Sequence, residues 1–163
     1  MNNEELAQTT KDPEILDELS QDKDSYVRWC VTQNPNTKPE TLDILSQDED
    51  FYVRCRVARN LNTNPETLDV LSRDEDSYVR RCVASNTSTK TETLDVLSRD
   101  EDFYVRCRVT QNPNTKPETL DVLSQDKDSD VRYWVAQNPN CSERAYKYIK
   151  GLELLKSLSE VPT

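Results

Sequence analysis

Thr37-Lys38-Pro39-Glu40-Thr41-Leu42-Asp43 recurs as Thr63-Asn64-Pro65-Glu66-Thr67-Leu68-Asp69, and again from Thr89 and from Thr115. The recurrence has a period of 26 residues, and a more divergent copy begins at Lys11. A fixed period of about 20 to 50 residues is typical of a solenoid, in which each unit packs mainly against its neighbours. The five full units stand in register without an insertion or deletion: 11–36, 37–62, 63–88, 89–114 and 115–140.

The first part of each unit predicts a short helix. In the second unit, Thr37 and Glu40 have the spacing of a capping box, in which the Thr37 hydroxyl accepts a hydrogen bond from the Glu40 amide. Leu42 and Leu45 then lie on one helical face. We expect this helix at 38–47, either as α-helix or partly as 3₁₀-helix.

The second part of each unit predicts a longer helix after an acidic turn. Asp48-Glu49-Asp50 offers an N-cap and negative charge to the positive end of that helix. Val53 and Val57 form an inward-facing pair within a helix at about 51–60. No strand pattern appears, so the sequence predicts an all-α array of two-helix units.

Comparison of the five units separates constant from variable positions. We number positions by the second unit, so that position 54 means Arg54 and its equivalents at intervals of 26 residues. Eleven of the 26 positions are the same in all units. Among them, we expect the Asn60 row to cap turn carbonyls and the arginine row to pair with turn aspartates of its own or the adjacent unit. The arginine row comprises Arg28, Arg54, Arg80, Arg106 and Arg132.

Most of the variation lies on the second helix. When position 53 faces inward, positions 51, 55, 58 and 59 are predicted on the open side. Aromatic and arginine side chains in such places are typical of interface hot spots, although they can also seal contacts between adjacent helices. The predicted partner-binding residues are Tyr26, Trp29, Phe51, Tyr52, Arg56, Tyr78, Arg81, Phe103, Tyr104, Arg108, Tyr133 and Trp134.

The ends of the chain differ from the middle. Glu18 stands where later units carry an aliphatic residue, so we expect position 44 to pack against the preceding unit. Residues 1–10 predict an N-terminal cap and residues 141–163 a closing helical unit, which makes 1–163 a single solenoid domain. Its polar ends favour a monomer. The aliphatic equivalents are Ile44, Val70, Val96 and Val122.

Composition limits the partners and the location. Lys and Arg number 21 against 31 Asp and Glu, giving a formal net charge of −10, and histidine is absent. An acidic chain disfavours nucleic acid and anionic membranes. The N-terminus lacks the features of a signal peptide, and no apolar run approaches the roughly 20 residues of a membrane span. We therefore expect a cytoplasmic protein.

The five cysteines predict neither disulfides nor a metal site. They lie about one to a unit, and none forms a Cys-x-x-Cys pair. Adjacent helices pack at roughly 10 Å, whereas bridged Cα atoms lie within about 7 Å. We expect reduced thiols, since the spacing does not gather four of them around a metal. The cysteines are Cys30, Cys55, Cys82, Cys107 and Cys141.

The repeated block resembles the leucine-rich repeat variant family. It reads Leu-x-x-Leu-Ser-x-Asp-x-Asp-x-x-Val-Arg-x-x-Val, as from Leu120 to Val135, and is followed by Asn138-Pro139. It is similar, more distantly, to HEAT-like repeats. The resemblance covers 11–140 and implies a right-handed superhelix of paired α and 3₁₀ or α helices without sheet. The family's described member carries an iron–sulfur cluster on a separate cysteine cluster, which has no counterpart here, so we expect no cofactor.

The sequence favours a non-catalytic scaffold that binds a protein or peptide partner through the outer face of the second helices. We do not expect an enzyme, because every carboxylate cluster repeats from unit to unit whereas an active site needs an asymmetric constellation. The acidic turns also lack the glycine and distal glutamate of a calcium loop. The alternative is a nucleic-acid-binding solenoid that uses Arg28, Arg54, Arg56, Arg80, Arg81, Arg106 and Arg108.

Overall fold

The chain folds into an all-α repeat solenoid. The computed structural model describes residues 2–159, with side chains to residue 157, and this part contains twelve α-helices and no strand. The last residues of the predicted closing unit, 160–163, lie outside the described residues, as does Met1. None of the helices in residues 2–159 has the length and hydrophobicity that crossing a membrane requires. The helices are α1 Asn3–Thr9, α2 Pro13–Leu19, α3 Ser25–Gln33, α4 Pro39–Leu45, α5 Phe51–Arg59, α6 Pro65–Leu71, α7 Ser77–Ser85, α8 Thr91–Leu97, α9 Phe103–Gln111, α10 Pro117–Leu123, α11 Ser129–Gln137 and α12 Glu143–Ser159.

Each full unit contains a seven-residue first helix and a nine-residue second helix. The first helix is α-helical and shorter than predicted, because it begins at Pro39 and ends at Leu45. The second helix begins after Asp50, whose carboxylate accepts a hydrogen bond from the Tyr52 amide at 2.8 Å. The acidic turn thus caps the second helix, as the sequence predicts.

The predicted capping box at Thr37 is wrong. Lys38, not Thr37, is the N-cap of α4, and it makes no side-chain cap. The Thr37 hydroxyl is buried and donates to the Val31 carbonyl oxygen at 2.6 Å. Val31 lies near the end of the second helix of the preceding unit, and its carbonyl oxygen accepts from the Thr37 hydroxyl in addition to the amide of the C-cap residue Asn34. The hydroxyl therefore satisfies the previous helix instead of starting its own.

The chain forms two compact units, the first running to Lys90 and the second starting at Thr91. In the first, α1, α3, α5 and α7 pack side by side in that order, and α2, α4 and α6 each pack on the second helix that follows them. In the second, α9, α11 and α12 pack in series, with α8 and α10 against them. The invariant Leu42, Leu45, Val53 and Val57 are buried, as are their equivalents. That the whole chain is one domain stays a prediction.

Three members of the arginine row make the ion pairs that the sequence predicts, whereas in the described residues Arg132 donates to the Asp126 carbonyl oxygen at 2.6 Å. Arg28 donates from Nε and Nη2 to the Asp48 carboxylate at 2.6 and 2.8 Å, while its Nη1 donates to the Asp22 carbonyl oxygen at 2.8 Å. Arg54 binds Asp74 of the next unit in the same way. In the second compact unit, Arg106 pairs with Asp126. Each of these pairs is mostly buried and joins a second helix to the following acidic turn.

The asparagine row links successive units on another side. Asn60 Nδ2 donates to the Thr32 carbonyl oxygen of the preceding unit at 2.7 Å, and Asn86 Nδ2 donates to that of Ala58 at 2.8 Å. The Asn60 side-chain oxygen also accepts from the Asn62 amide. The row therefore caps carbonyl groups of the preceding unit, which confirms its predicted role.

A third set of contacts joins successive first helices. The Thr41 hydroxyl donates to the Asp17 carboxylate, and Lys38 Nζ lies 3.0 Å from the same carboxylate. The hydrogen bond from Thr41, followed by that from Lys38, holds the pKa of Asp17 below its ordinary value. Hydrogen bonds to Glu14 and Asp17 in turn raise the pKa of Lys38 to about 12. These polar contacts help to hold first helices that bury little apolar surface against each other.

The prediction that position 44 packs against the preceding unit is wrong. Ile44 is 60% exposed and Val70 is 61% exposed, and their equivalents are similar. The buried face of a seven-residue helix is already filled by positions 41, 42 and 45. Position 44 therefore points away from the core and forms an exposed aliphatic row.

The prediction of five reduced cysteines is also wrong for one pair. Cys55 of α5 and Cys82 of α7 form a disulfide, with their Cα atoms 5.8 Å apart. The prediction took the spacing of helix axes, roughly 10 Å, as the distance between residues. The Cα atoms of residues on the facing sides of two packed helices lie closer together than the helix axes do. Cys30, Cys107 and Cys141 are free thiols.

Candidate functional site

Position 55 of one unit faces position 56 of the next where two second helices pack together. In the first compact unit this arrangement places Cys55 against Cys82 and Trp29 against Arg56, whose guanidinium carbon lies 4.7 Å from the ring centroid. One pair is covalent and the other is a cation–π contact, so the fold accepts chemically unrelated pairs at the same place.

The predicted outer face of the second helix needs correction. Cys55 is 2% exposed and Ala58 is fully buried, so in the second unit positions 55 and 58 do not lie on the open side, whereas Tyr133 at position 55 of the last unit is exposed. In the first compact unit, α3 and α5 each have a second-helix or α1 neighbour on both flanks, and their buried arc is therefore wider than the face marked by the two valines. The most exposed positions are 52 and 59, represented by Tyr52 and Arg59.

One aromatic cluster lies on α3 and reaches α5. The Tyr26 and Trp29 rings stack with centroids 5.2 Å apart. Arg56 covers Trp29 from the adjacent helix. Tyr26 is exposed and Trp29 is half-buried. The indole is thus held between two neighbours while part of it meets solvent.

A second cluster surrounds Tyr78 on α7. The Arg81 guanidinium carbon lies 4.6 Å from its ring centroid and that of Arg59 5.5 Å. Arg59 Nη2 also donates to the Tyr78 hydroxyl at 3.3 Å. Phe51 meets the Tyr78 ring edge-on with centroids 6.4 Å apart and lies against Tyr52. We call the residues of these two clusters the aromatic–arginine surface: Tyr26, Trp29, Phe51, Tyr52, Arg56, Arg59, Tyr78 and Arg81.

The second compact unit carries its own predicted residues in pairs. Phe103 lies against Tyr104, with centroids 3.9 Å apart, and Tyr133 meets Trp134 edge-on at 5.3 Å. Tyr104, Tyr133 and Trp134 are exposed. Arg108 is exposed as well and donates to the Gln111 side chain at 2.7 Å. Most of these side chains are therefore accessible to a partner.

Charge is segregated between the two kinds of helix in the first compact unit. The second helices α3, α5 and α7 contain six arginines and no acidic residue. The first helices α2, α4 and α6 contain seven acidic residues and no basic one. The aromatic–arginine surface is thus a basic region of an acidic chain.

No family model matches this chain, and no curated protein matches it. Among solved structures, a leucine-rich repeat variant described as having a novel repetitive protein structural motif is similar, with a TM-score of 0.69 and 25% identity. The match covers 91% of this chain and 64% of that chain. The chain has the fold of the leucine-rich repeat variant. The crystal structure of an engineered protein is similar in fold, with a TM-score of 0.51 and 19% identity over 91% of this chain and 87% of the other.

The leucine-rich repeat variant fold leaves the remaining thiols in buried or half-buried places. Burial raises the pKa of the Cys107 thiol to about 11 and also raises that of Cys141. Thiols with a raised pKa are poor nucleophiles at neutral pH. Within the described residues, no group of three or more His, Cys, Asp or Glu side chains is placed to hold a metal ion.

Sequence reasoning missed one feature of this leucine-rich repeat variant fold. Arg59 and Leu61, which were not among the predicted site residues, line a cleft of about 400 Å³ together with Arg56. A signal for it was present, because other units carry Gln or Ser at position 59 and Pro or Thr at position 61. The second unit departs from the repeat at this cleft.

Proposed function

We propose that this chain is a non-catalytic repeat scaffold that binds a protein or peptide partner through the aromatic–arginine surface. The observation that carries the proposal is the fixation of Trp29 and Tyr78 by arginines from adjacent helices. Side chains that are ordered before binding lose less conformational entropy in a complex. Trp, Tyr and Arg are also the residues most enriched among interface hot spots.

Nucleic-acid binding through the arginine rows is the alternative, and it has less support. Arg28, Arg54 and Arg106 are engaged by carboxylates and mostly buried. Phosphate contacts would have to displace these pairs on a chain of net charge −10. An enzymatic function has no support from the carboxylates, since they recur in every unit.

The proposal is tested by affinity capture from an extract of the native cells. A triple variant, W29A/Y78A/R81A, should lose the captured partner while its circular dichroism spectrum stays that of the wild type. The matched control, I44A/V70A/R73A, changes two exposed residues of first helices and one of the turn that follows α6, all in the same compact unit, and should retain the partner. Capture that survives the first variant, or that is lost only in the control, would remove this surface from consideration.

A cytoplasmic location belongs to the same proposal. Disulfides are rare in the reducing cytosol, so the state of Cys55 and Cys82 in the living cell bears on it directly. Thiols are alkylated in intact cells before lysis, and the two cysteines are then scored by mass spectrometry. A fully oxidised pair in the cell would contradict the cytoplasmic location, whereas alkylated thiols would support it.

A further inference from the structure

The cleft of the second unit lies where the C-terminal ends of α3 and α5 meet their following turns. Its volume is about 400 Å³, and it opens beside the aromatic–arginine surface. The wall combines two arginines and two apolar side chains with a threonine and three amide side chains: Arg56, Arg59, Pro35, Leu61, Thr32, Gln33, Asn60 and Asn62.

The two arginines of the cleft have no acidic partner. In residues 2–157, no carboxylate lies within ion-pair distance of Arg56 or Arg59, although the sequence holds 31 acidic residues. Arg28 and Arg54, by contrast, are each held by a carboxylate of the next unit. The acidic residues near α5 lie on the first helices α4 and α6 and in the acidic turns that follow them. Two cations are thus left without counter-charge in an acidic chain.

The guanidinium groups are held in place by aromatic rings. Arg56 lies over Trp29, and Arg59 lies by the Tyr78 ring and donates to its hydroxyl. Residues 56 and 59 are one helical turn apart, so their like charges repel each other. The negative end of the α5 dipole offsets this repulsion only in part. Because Arg56 is held toward α3 and Arg59 toward α7, two carboxylates of one peptide, one on each guanidinium, would each gain charge-assisted hydrogen-bond donors whose orientation is already restricted.

The apolar side of the cleft is specific to the second unit. Leu61 is 72% exposed and stands where three other units carry proline, as at Pro35. Its apolar surface therefore remains available to a partner, whose binding would remove that surface from water. Beside two arginines, it offers a contact for an apolar residue next to an acidic one.

We propose that this cleft binds an acidic peptide segment of the partner, with Asp or Glu carboxylates on Arg56 and Arg59 and an apolar side chain against Leu61. The inference rests on the proposed function and names the chemistry of its partner. A peptide is favoured over nucleic acid because a short acidic stretch meets only the basic second helices. A long phosphate chain would also meet the acidic first helices.

The test uses variants made of residues that the repeat itself supplies. R59Q/L61P introduces the Gln-Asn-Pro-Asn sequence that three other units carry, so it is expected to fold. R73Q is the charge-matched control, since position 47 is glutamine in three units and Arg73 is exposed on the first-helix side. R56Q removes the other cation of the cleft. Melting temperatures, followed by circular dichroism, establish that each variant is folded.

A displayed library of random 12-residue peptides is selected on each protein. The wild type and R73Q should enrich peptides in which Asp or Glu neighbours Leu or Phe. Fluorescence anisotropy should then show a loss of affinity of about tenfold or more for the best peptide with R59Q/L61P or R56Q. Replacing its acidic residues by amides should cause a similar loss, and so should raising the salt concentration.

Four outcomes would count against the inference. Enriched peptides without acidic residues whose binding depends on Trp29 and Tyr78 would contradict the acidic partner while supporting the proposed function. Equal losses in R59Q/L61P and R73Q would show a general effect of charge. A fluorescent oligothymidine that binds through Arg56 and Arg59 more tightly than the peptides would replace the peptide by nucleic acid. Failure of the wild type to enrich any peptide would count against both proposals.

Discussion

Two junctions between second helices in the first compact unit use the same two positions differently: one junction is open to solvent and the other is closed by a disulfide. Between α3 and α5, Trp29 meets Arg56 beside an open cleft. Between α5 and α7, Cys55 and Cys82 close the junction covalently. The backbone register is the same at both, because each pair is separated by 27 residues. The difference shows that these positions are free to vary once the helices are held together elsewhere.

The invariant polar residues hold both junctions in the same way. At the first, Arg28 binds Asp48, and at the second Arg54 binds Asp74, each with two donors. Asn60 and Asn86 add a hydrogen bond to the preceding unit at each junction. The constant positions thus hold both junctions in the same way, and we propose that the variable positions determine which partner binds. The predictions below test this division of roles.

The largest loss of stability is expected when the invariant pair at the first junction is broken. D48A leaves Arg28 mostly buried with no bidentate acceptor, which should lower the free energy of unfolding by about 3 to 5 kcal/mol. The measurement is a urea titration at neutral pH. The control is E49A, because Glu49 is 89% exposed and lies 3.6 Å from the same guanidinium. It should cost less than about 1 kcal/mol. Equal effects of the two variants would contradict the stabilising role of the buried Arg28–Asp48 pair.

The covalent junction should come next. C55S/C82S should lower the free energy of unfolding by about 2 to 4 kcal/mol, because the disulfide limits the unfolded chain across its 27-residue separation. A dithiol reductant should bring the wild type toward the same value. C107S is the matched control, since Cys107 occupies the same position without a disulfide partner. A wild type whose stability does not respond to reductant would mean that the junction is held without the bond.

Of the contacts at the two junctions, the variable pair Trp29–Arg56 at the open junction should contribute least to the free energy of unfolding. A double-mutant cycle of W29A and R56Q should give a coupling of about 0.5 to 1 kcal/mol, the range of an accessible cation–π contact. The cycle of W29A and R59Q serves as the control. Arg59 contacts Tyr78 instead of Trp29, so its coupling to W29A should be near zero. A coupling above that of the disulfide would reverse the ranking of the two junctions.

The features that could be predicted from the sequence are those that recur in every unit, because each copy is an independent check on the others. The two-helix unit, the Arg54 row and the Asn60 row recur at every copy, and each has one chemically complementary row within reach. The sequence comparison therefore acted as several observations of one structure. Much of the aromatic–arginine surface could be predicted for the same reason, because its variable residues differ between units whose other positions are constant.

The features that could not be predicted depend on contacts between different units. Thr37 has a possible hydrogen-bond donor in its own helix, the Glu40 amide, and only the packing shows that the hydroxyl donates to the Val31 carbonyl oxygen instead. The Cys55–Cys82 bond needs the distance between two facing side chains, which a helix-axis spacing does not give. The exposure of Ile44 likewise depends on how far the first helices stand from one another.

The smallest effect on stability should come from lowering the pH. It distinguishes the contacts between first helices from the contacts at both junctions. The pKa of Asp17 in the folded protein lies below its ordinary value, mainly because of the Thr41 hydroxyl. Its ionised form therefore adds stability above the ordinary pKa of about 4, and that contribution is lost as the pH falls through the folded pKa. T41V removes the donor. The melting temperature of the wild type should exceed that of T41V at pH 6, and the gap should narrow below about pH 4.

The control for this prediction is S46A, because the buried Ser46 hydroxyl donates to the Asp43 backbone carbonyl instead of a carboxylate. The gap between S46A and the wild type should stay constant from pH 6 to the acid limit, since a backbone carbonyl does not titrate in this range. If T41V and S46A followed the same pH dependence, the Thr41–Asp17 contact would not be the source of the lowered pKa.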